Sequence, residues 1–269
     1  MVPVSVVIIA KSTADIIEGC IENARKITDD VIIIYNGPEE DTLHAATNSG
    51  CRVYKKTWEG YGANKNKGAD EARYNWILSI DADEVPDDGL ISAIQNLNFK
   101  DKNVVYDIKF RSHFGGKLIR FGSWGRDHHI RLFNRELVKW SETLIHEKLT
   151  LPKYVRKKKI KGHIHHYSAK GAGEFDLKCS YYAKLSAEKY FRDGKKAGIV
   201  KLYFSPIFGF LKNYIFSLGF LDGRAGWVIA ATIMKNTRRK YLFLSQIENL
   251  PVNQTELVKN DLVVEYKTA

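Results

Sequence analysis

Four consecutive residues, Asp81-Ala82-Asp83-Glu84, hold the densest chemistry in this chain. They follow the apolar run Trp76-Ile77-Leu78-Ser79-Ile80, so the paired carboxylates stand at the end of an expected buried strand. Carboxylate oxygens suit hard cations such as Mg²⁺ and Mn²⁺, which keep part of their water while gripping phosphate oxygens. In open α/β sheets, ligands bind outside the carboxyl ends of the strands. A solvated acidic turn before Pro86 is the plain alternative, and the neighbouring residues decide between the two.

The elements that must position these carboxylates are legible upstream. Apolar runs alternate with helix-like segments, the pattern of a parallel α/β sheet. Val4 to Ala10 reads as the first strand, Asp15 to Lys26 as a helix and Val31 to Tyr35 as the second strand, ended by the turn Asn36-Gly37-Pro38. A helix over 41–49 and a short strand, Cys51 to Tyr54, follow. A glycine-bearing loop, Trp58-Glu59-Gly60-Tyr61-Gly62, leads into a helix expected over Ala63 to Ala72 that carries Lys65. Downstream, a helix over 90–97, a strand over 104–111 folding back through Gly115-Gly116, and a strand over 129–134 are expected. Beyond Gly171 helical patterning dominates.

The chain has 269 residues, 44% of them hydrophobic, enough for one large domain with an appendage. Cys20, Cys51 and Cys179 are an odd number without a CxxC pair, so neither a disulfide framework nor a thiolate zinc site is indicated and a cytoplasmic protein is expected. Val4 to Ile9 is too short for the apolar core of a signal peptide. With 42 basic against 31 acidic residues, the formal charge of +11 favours a polyanionic partner: nucleic acid, anionic lipid or a phosphorylated glycan. The basic residues concentrate at 153–161 and 235–240. No recognised nucleic-acid motif accompanies them, and no nucleic-acid partner is expected. The stretch Ile199 to Leu221 is densely apolar and aromatic, with a narrow polar stripe. Lys201, Lys212 and Pro206 argue against a membrane span of about 20 apolar residues, leaving a buried hairpin or a peripheral membrane helix on an anionic surface.

Taken in order, Ser5 to Ala10, Trp58-Glu59-Gly60-Tyr61-Gly62-Ala63-Asn64-Lys65-Asn66 and Trp76 to Glu84 resemble family 2 glycosyltransferases, most closely the lipopolysaccharide-core β-glucosyltransferases. The resemblance runs on through Ile130-Arg131-Leu132-Phe133-Asn134-Arg135, Ile145-His146-Glu147-Lys148-Leu149 and Gly219-Phe220-Leu221-Asp222-Gly223. It implies a GT-A fold, a Rossmann-like, mixed but mainly parallel sheet flanked by helices. The catalytic domain would occupy residues 1–170, with a helical, membrane-associating extension, 171–269, packing on it. It also implies transfer of a sugar with inversion from a nucleotide-sugar donor, a UDP-sugar by preference, to a lipopolysaccharide-core or other envelope glycan. By the same resemblance Asp83 coordinates a Mg²⁺ or Mn²⁺ ion with His166 as a late ligand, and Asp81 contacts the ribose or a metal-bound water. Ala10, Tyr35, Asn36 and Lys65 complete the donor site, Lys65 as a mobile phosphate contact. The acceptor hydroxyl needs a base opposite the leaving group. Glu147 holds the family's position for it, with Asp127 and Glu142 as the other candidates.

Two departures bear on the donor. The family's aspartate after the second strand, which reads the uracil edge, is replaced here by Tyr35-Asn36-Gly37-Pro38, and its Asn-Glu after the first strand by Lys11-Ser12-Thr13. Two readings of other classes stand beside sugar transfer. One is a metallohydrolase of phosphorylated glycans using His163-x-His165, although no HExxH or other compact ligand set is present. The other is a catalytically silent anion-binding module.

Overall fold

A computed structural model describes residues 2–11, 14–37, 40–141 and 147–250. Two compact units are built from it. The first comprises residues 1–110 and 128–166, the second 111–127 and 167–269.

The first unit opens with β1 (Val4–Ala10), α1 (Ala14–Ile27), β2 (Val31–Tyr35), α2 (Glu40–Asn48), β3 (Arg52–Lys55), α3 (Tyr61–Asp70) and β4 (Trp76–Asp81). Along the chain there follow β5 (Glu84–Pro86), α4 (Asp88–Gln95), β6 (Val104–Phe114), β7 (Lys117–Leu118), β8 (His128–Asn134), β9 (Lys139–Trp140), β10 (Leu149–Thr150) and β11 (Arg156–Ala169), of which β7 and the last residues of β6 and β11 fall in the second unit. The strands order as β3-β2-β1-β4-β8-β6-β11-β5, with β7 beside β6. Pairing is parallel across β3, β2, β1 and β4 and antiparallel where β8 joins β4 and β6, and where β5 joins β11. The parallel half is what the alternating pattern predicts, and the mixed Rossmann-like whole is what the family resemblance implies. Because β1, β2 and β4 are parallel, their carboxyl ends finish together: Ala10 pairs with Tyr35, and Ile9 with Asp81.

Both faces of β1 and β2 are buried, which is why they read as unbroken apolar runs rather than alternating ones. α1 seals one face through Ile17, Cys20, Ile21 and Ala24. α3 lies against β1 and β2 on the sheet. It begins two residues before the expected start, because Gly60 at φ 105° turns the chain sharply enough for the Asn64 amide to reach the Gly60 carbonyl at 3.1 Å. Gly68 lets the helix approach closely; a Cβ there would meet Val7 Cγ1 at 2.3 Å.

β11 is a 14-residue strand that absorbs the basic run Arg156 to Lys161 and the histidines His163, His165 and His166. Its first half is exposed, so lysines hide the strand from any hydropathy pattern.

In the second unit, α5 (Ala172–Arg192), α6 (Ile199–Leu211) and α7 (Arg224–Glu248) form a helical assembly in which α7 contacts both others. Phe114, Ile119, Phe175 and Ile229 make its core. Buried Asp222 accepts the Arg120 and Phe121 amides, which fastens the 111–127 segment. Asp176 pairs with Lys235 and Arg239, two of the four cations of the late basic cluster, and offsets one of their charges. The expected single apolar cylinder over 199–221 breaks instead at Leu211 into a π turn over Lys212–Phe216 and a 3-10 turn over Gly219–Asp222. Leu218, in the left-handed region at φ 60°, separates the π turn from the 3-10 turn. Among the described residues no helix is long and apolar enough to cross a membrane.

Candidate active site

Lys65 is the centre of the site. It is 1% exposed, and its Nζ lies 2.8 Å from Glu147 Oε1 and 3.2 Å from Asp81 Oδ1. The cation also sits 4.6 Å from the Trp140 ring centroid and 5.9 Å from that of Tyr61. The lysine expected to be a mobile phosphate contact is therefore a fixed cation spent on two carboxylates. Asn66 holds its surroundings in place: its side chain donates to the Trp140 carbonyl and accepts the Trp140 amide, both at 2.9 Å, which docks α3 on β9.

Around the tetrapeptide, the Asp81 amide donates to Glu84 Oε2 at 3.0 Å, closing the acidic turn on itself. Arg131, arriving on β8, lies between the two carboxylates: Nη2 is 3.5 Å from Asp81 Oδ2 and bonds Glu84 Oε1. Its guanidinium stacks 5.4 Å from the Phe110 centroid. Asp83 faces His166, with Oδ2 and Nε2 3.4 Å apart, because β11 pairs with β5 in the register that sets His166 opposite Glu84. Glu147 is held from its other side by the β9–β10 pair, where Ser141 donates its amide to the Lys148 carbonyl and accepts the Lys148 amide on Oγ.

The charges follow from this geometry. Burial works to raise the Asp81 carboxyl, but Lys65 first and Arg131 next hold it well below the usual carboxylate range. Burial, opposed by Arg131 and aided by the like charge of Asp81, pushes Glu84 up to about 7. With neutral imidazole and Glu84 only partly ionised near neutral pH, the four carboxylates exceed the two cations by between one and two negative charges. That excess, with a carboxylate oxygen and an imidazole nitrogen side by side, fits a hard divalent ion. Among the described residues no group of three or more His, Cys, Asp or Glu side chains closes on one point, so a metal on Asp83 and His166 would complete its shell with phosphate oxygens and water.

The donor candidates on the strand ends are brought together: the Asn36 amide donates to the Ala10 carbonyl, and the Ala82 amide to the Ile9 carbonyl. Tyr35 is 3% exposed and belongs to the apolar core, while Asn36 is half-buried. Asp127 closes the 3-10 turn Trp124–Arg126 in the second unit, and Glu142 lies outside the described residues, as do Ser12, Thr13, Pro38 and His146. His163 is a structural ring, 3.0 Å from Asp87, which caps α4 by accepting the Leu90 amide.

Glu84, Arg131 and Trp140 received no role from sequence reasoning. Arg131 had a signal: a lone cation in the apolar strand Ile130 to Phe133 must find a buried carboxylate.

The family model described as glycosyl transferase family 2 matches residues 5–174. An uncharacterized glycosyltransferase of Rickettsia typhi is 26% identical over 99% of this chain and 94% of its own. A lipopolysaccharide core biosynthesis glycosyltransferase of Rhizobium meliloti is 24% identical over 86% of this chain and 87% of its own. Among solved structures, glucosyl-3-phosphoglycerate synthase from Mycobacterium tuberculosis, crystallised with Mn²⁺, UDP and glucosyl-3-phosphoglycerate, is similar at 20% identity with a TM-score of 0.33. That likeness covers 42% of this chain and 44% of the synthase, less than half of either, and bears on nothing in the site.

Proposed function

The chain belongs to glycosyl transferase family 2, and from that premise we propose that it is an inverting, metal-dependent enzyme moving a sugar from a nucleotide-sugar donor to an envelope glycan. What carries the reading is the lysine bridge: Lys65 joins the first aspartate of the acidic turn to Glu147, so the donor side and the base side share one buried cation. Residues 1–170 form the proposed catalytic domain and 171–269 its helical extension.

Asp83 and His166 are the residues that would hold Mg²⁺ or Mn²⁺, which when bound neutralises the charge growing on the departing diphosphate. Asp81, kept ionised by Lys65 and Arg131, stays an acceptor for a ribose hydroxyl or a coordinated water throughout turnover. At the nucleobase end half-buried Asn36 supplies the polar edge, with Ala10 and Tyr35 backing it from the core. Glu147 takes the acceptor proton as the new bond forms between the acceptor oxygen and the anomeric carbon. The old carbon–oxygen bond breaks with inversion, and its electron pair leaves with the nucleoside diphosphate. Lys65 fixes the Glu147 carboxylate in orientation, a positioning role.

Similarity to the Rhizobium meliloti enzyme supports a lipopolysaccharide-core or other cell-envelope acceptor. Calorimetric titration with UDP, GDP, CDP and dTDP, with and without Mn²⁺, tests the donor site. UDP is expected to bind only with metal, and Asp83→Ala to abolish that binding while staying folded. Failure of folded wild-type protein to bind any of the four would overturn the assignment.

A further inference from the structure

The second unit carries a surface that sugar transfer does not use. α6 turns one side to α7, and its other side is bare: Ile199, Val200, Tyr203, Phe204, Ile207 and Phe208 are each between 52% and 76% exposed. They fall at positions i, i+1, i+4, i+5, i+8 and i+9, a single stripe along the helix. Phe216, Leu221 and Trp227 continue the apolar exposure past its end, with Trp227 braced edge-on by Phe210 and Tyr214. The buried hairpin foreseen as one alternative for this stretch is thus not what forms; Pro206 is the one buried residue of α6. Apolar patches of this extent are uncommon on soluble monomers and mark an interaction surface.

The charge around the patch selects the occupant. From Gly194 to Leu221 there is no acidic residue, while Lys195, Lys196, Lys201 and Lys212 are exposed, and exposed Arg224 follows. Asp193 pairs with Lys195, but a second copy docking by a two-fold axis would bring Lys196, Lys201 and Lys212 toward their own copies with no acidic residue of 194–221 to neutralise them. A surface of anionic lipid supplies both an apolar phase for the stripe and phosphates for the lysines. α6 has 13 residues, far short of the roughly 20 a span requires, so it suits lying in the plane of the interface. Tyr203 and Trp227 are of the types that concentrate at that boundary.

We propose that the α6 face of the second unit docks on an anionic lipid bilayer, its stripe seated at the boundary of headgroups and acyl chains. The proposal stands on this surface alone and is independent of the sugar chemistry. Full-length protein is sedimented with vesicles of phosphatidylcholine alone or mixed with phosphatidylglycerol. Binding to the anionic vesicles, weakened by salt, is the expected result. Phe204→Ser with Phe208→Ser should lower vesicle affinity about tenfold or more without changing the circular dichroism. Lys195→Glu with Lys196→Glu and Lys201→Glu should weaken anionic binding by a similar factor. Absence of vesicle binding, as when residues 251–269 or a second copy cover the stripe, overturns the proposal, and light scattering identifies the dimer case. Binding insensitive to both sets of substitutions overturns it too. Unfolding of the phenylalanine variant would contradict the exposed stripe, and the lysine variant then reads the charge contribution independently.

Discussion

Replacing Lys65 by Met removes the cation that contacts both Asp81 and Glu147 while keeping the length of the side chain. At 2.8 and 3.2 Å, and with an effective dielectric constant of about 20, each contact has a gross Coulomb energy of roughly 5–6 kcal/mol. Much of that is offset by the cost of burying the ammonium, while loss of the Trp140 contact adds about 1–2 kcal/mol. Removing one partner of a buried pair costs about 3–5 kcal/mol. Glu147 and Asp81 retain 16% and 28% side-chain exposure, which puts the expectation near the lower end, about 3 kcal/mol. Urea unfolding at neutral pH should show that loss with an unchanged m-value, and the thermal midpoint should fall by roughly 6–10 °C. Combining the substitution with Glu147→Gln should recover about 1–2 kcal/mol, since one stranded carboxylate is then neutral. A single-variant loss below about 1 kcal/mol, or strict additivity in the double variant, would refute the bridge. Sugar transfer should fall in Lys65→Met chiefly through kcat, as the base loses its orientation.

Asp30 makes a pH-dependent contribution to stability. Its side chain is 1% exposed, and although burial opposes ionisation, the Ser5 hydroxyl, the Arg73 amide and Arg52 together lower its pKa. A lowered folded-state pKa stabilises above the unfolded value near 3.9 and ceases to as pH falls through the folded one. Asp30→Asn should therefore cost about 2 kcal/mol in urea unfolding at pH 7, with the gap to wild type closing in acid below about pH 4; a pH-independent gap would contradict the assignment. Gly68→Ala should lower stability by about 1–3 kcal/mol despite the better helix propensity of alanine, because its Cβ meets Val7 and Ile34 on the sheet. A stabilised variant in thermal unfolding would show that α3 stands off further than described.

The parallel half of the sheet is legible in the chain because β1, β2 and β4 are continuous apolar runs that only a doubly covered strand tolerates. The acidic turn is legible for the same reason, standing where such a run stops. Lys65 is not: α3 has no apolar stripe, and its burial arises because Gly62 and Gly68 let the helix sink onto β1, β2 and the backbone of Ser141. β11 is disguised by its lysines, and its pairing with β5 depends on a register that no local pattern encodes. His166 as the partner of Asp83 came from resemblance rather than from periodicity. The division of the 199–221 stretch into a helix and two turns ends at Leu218, whose left-handed backbone is the kind that a leucine seldom signals.

The register that sets His166 opposite Glu84 also dictates when the site comes into being. During synthesis the acidic turn emerges early, with Lys65 as its sole cation. Arg131 follows about fifty residues later, and His166 later still. Pairing β11 with β5 is a long-range step that closes a loop of some eighty residues, the sort that folds late. Until then Asp83 lacks the imidazole that faces it in the folded sheet. On the proposed assignment, completion of the sheet edge and completion of the Asp83–His166 pair are one event, and a chain ending before residue 166 should fail to bind donor with metal.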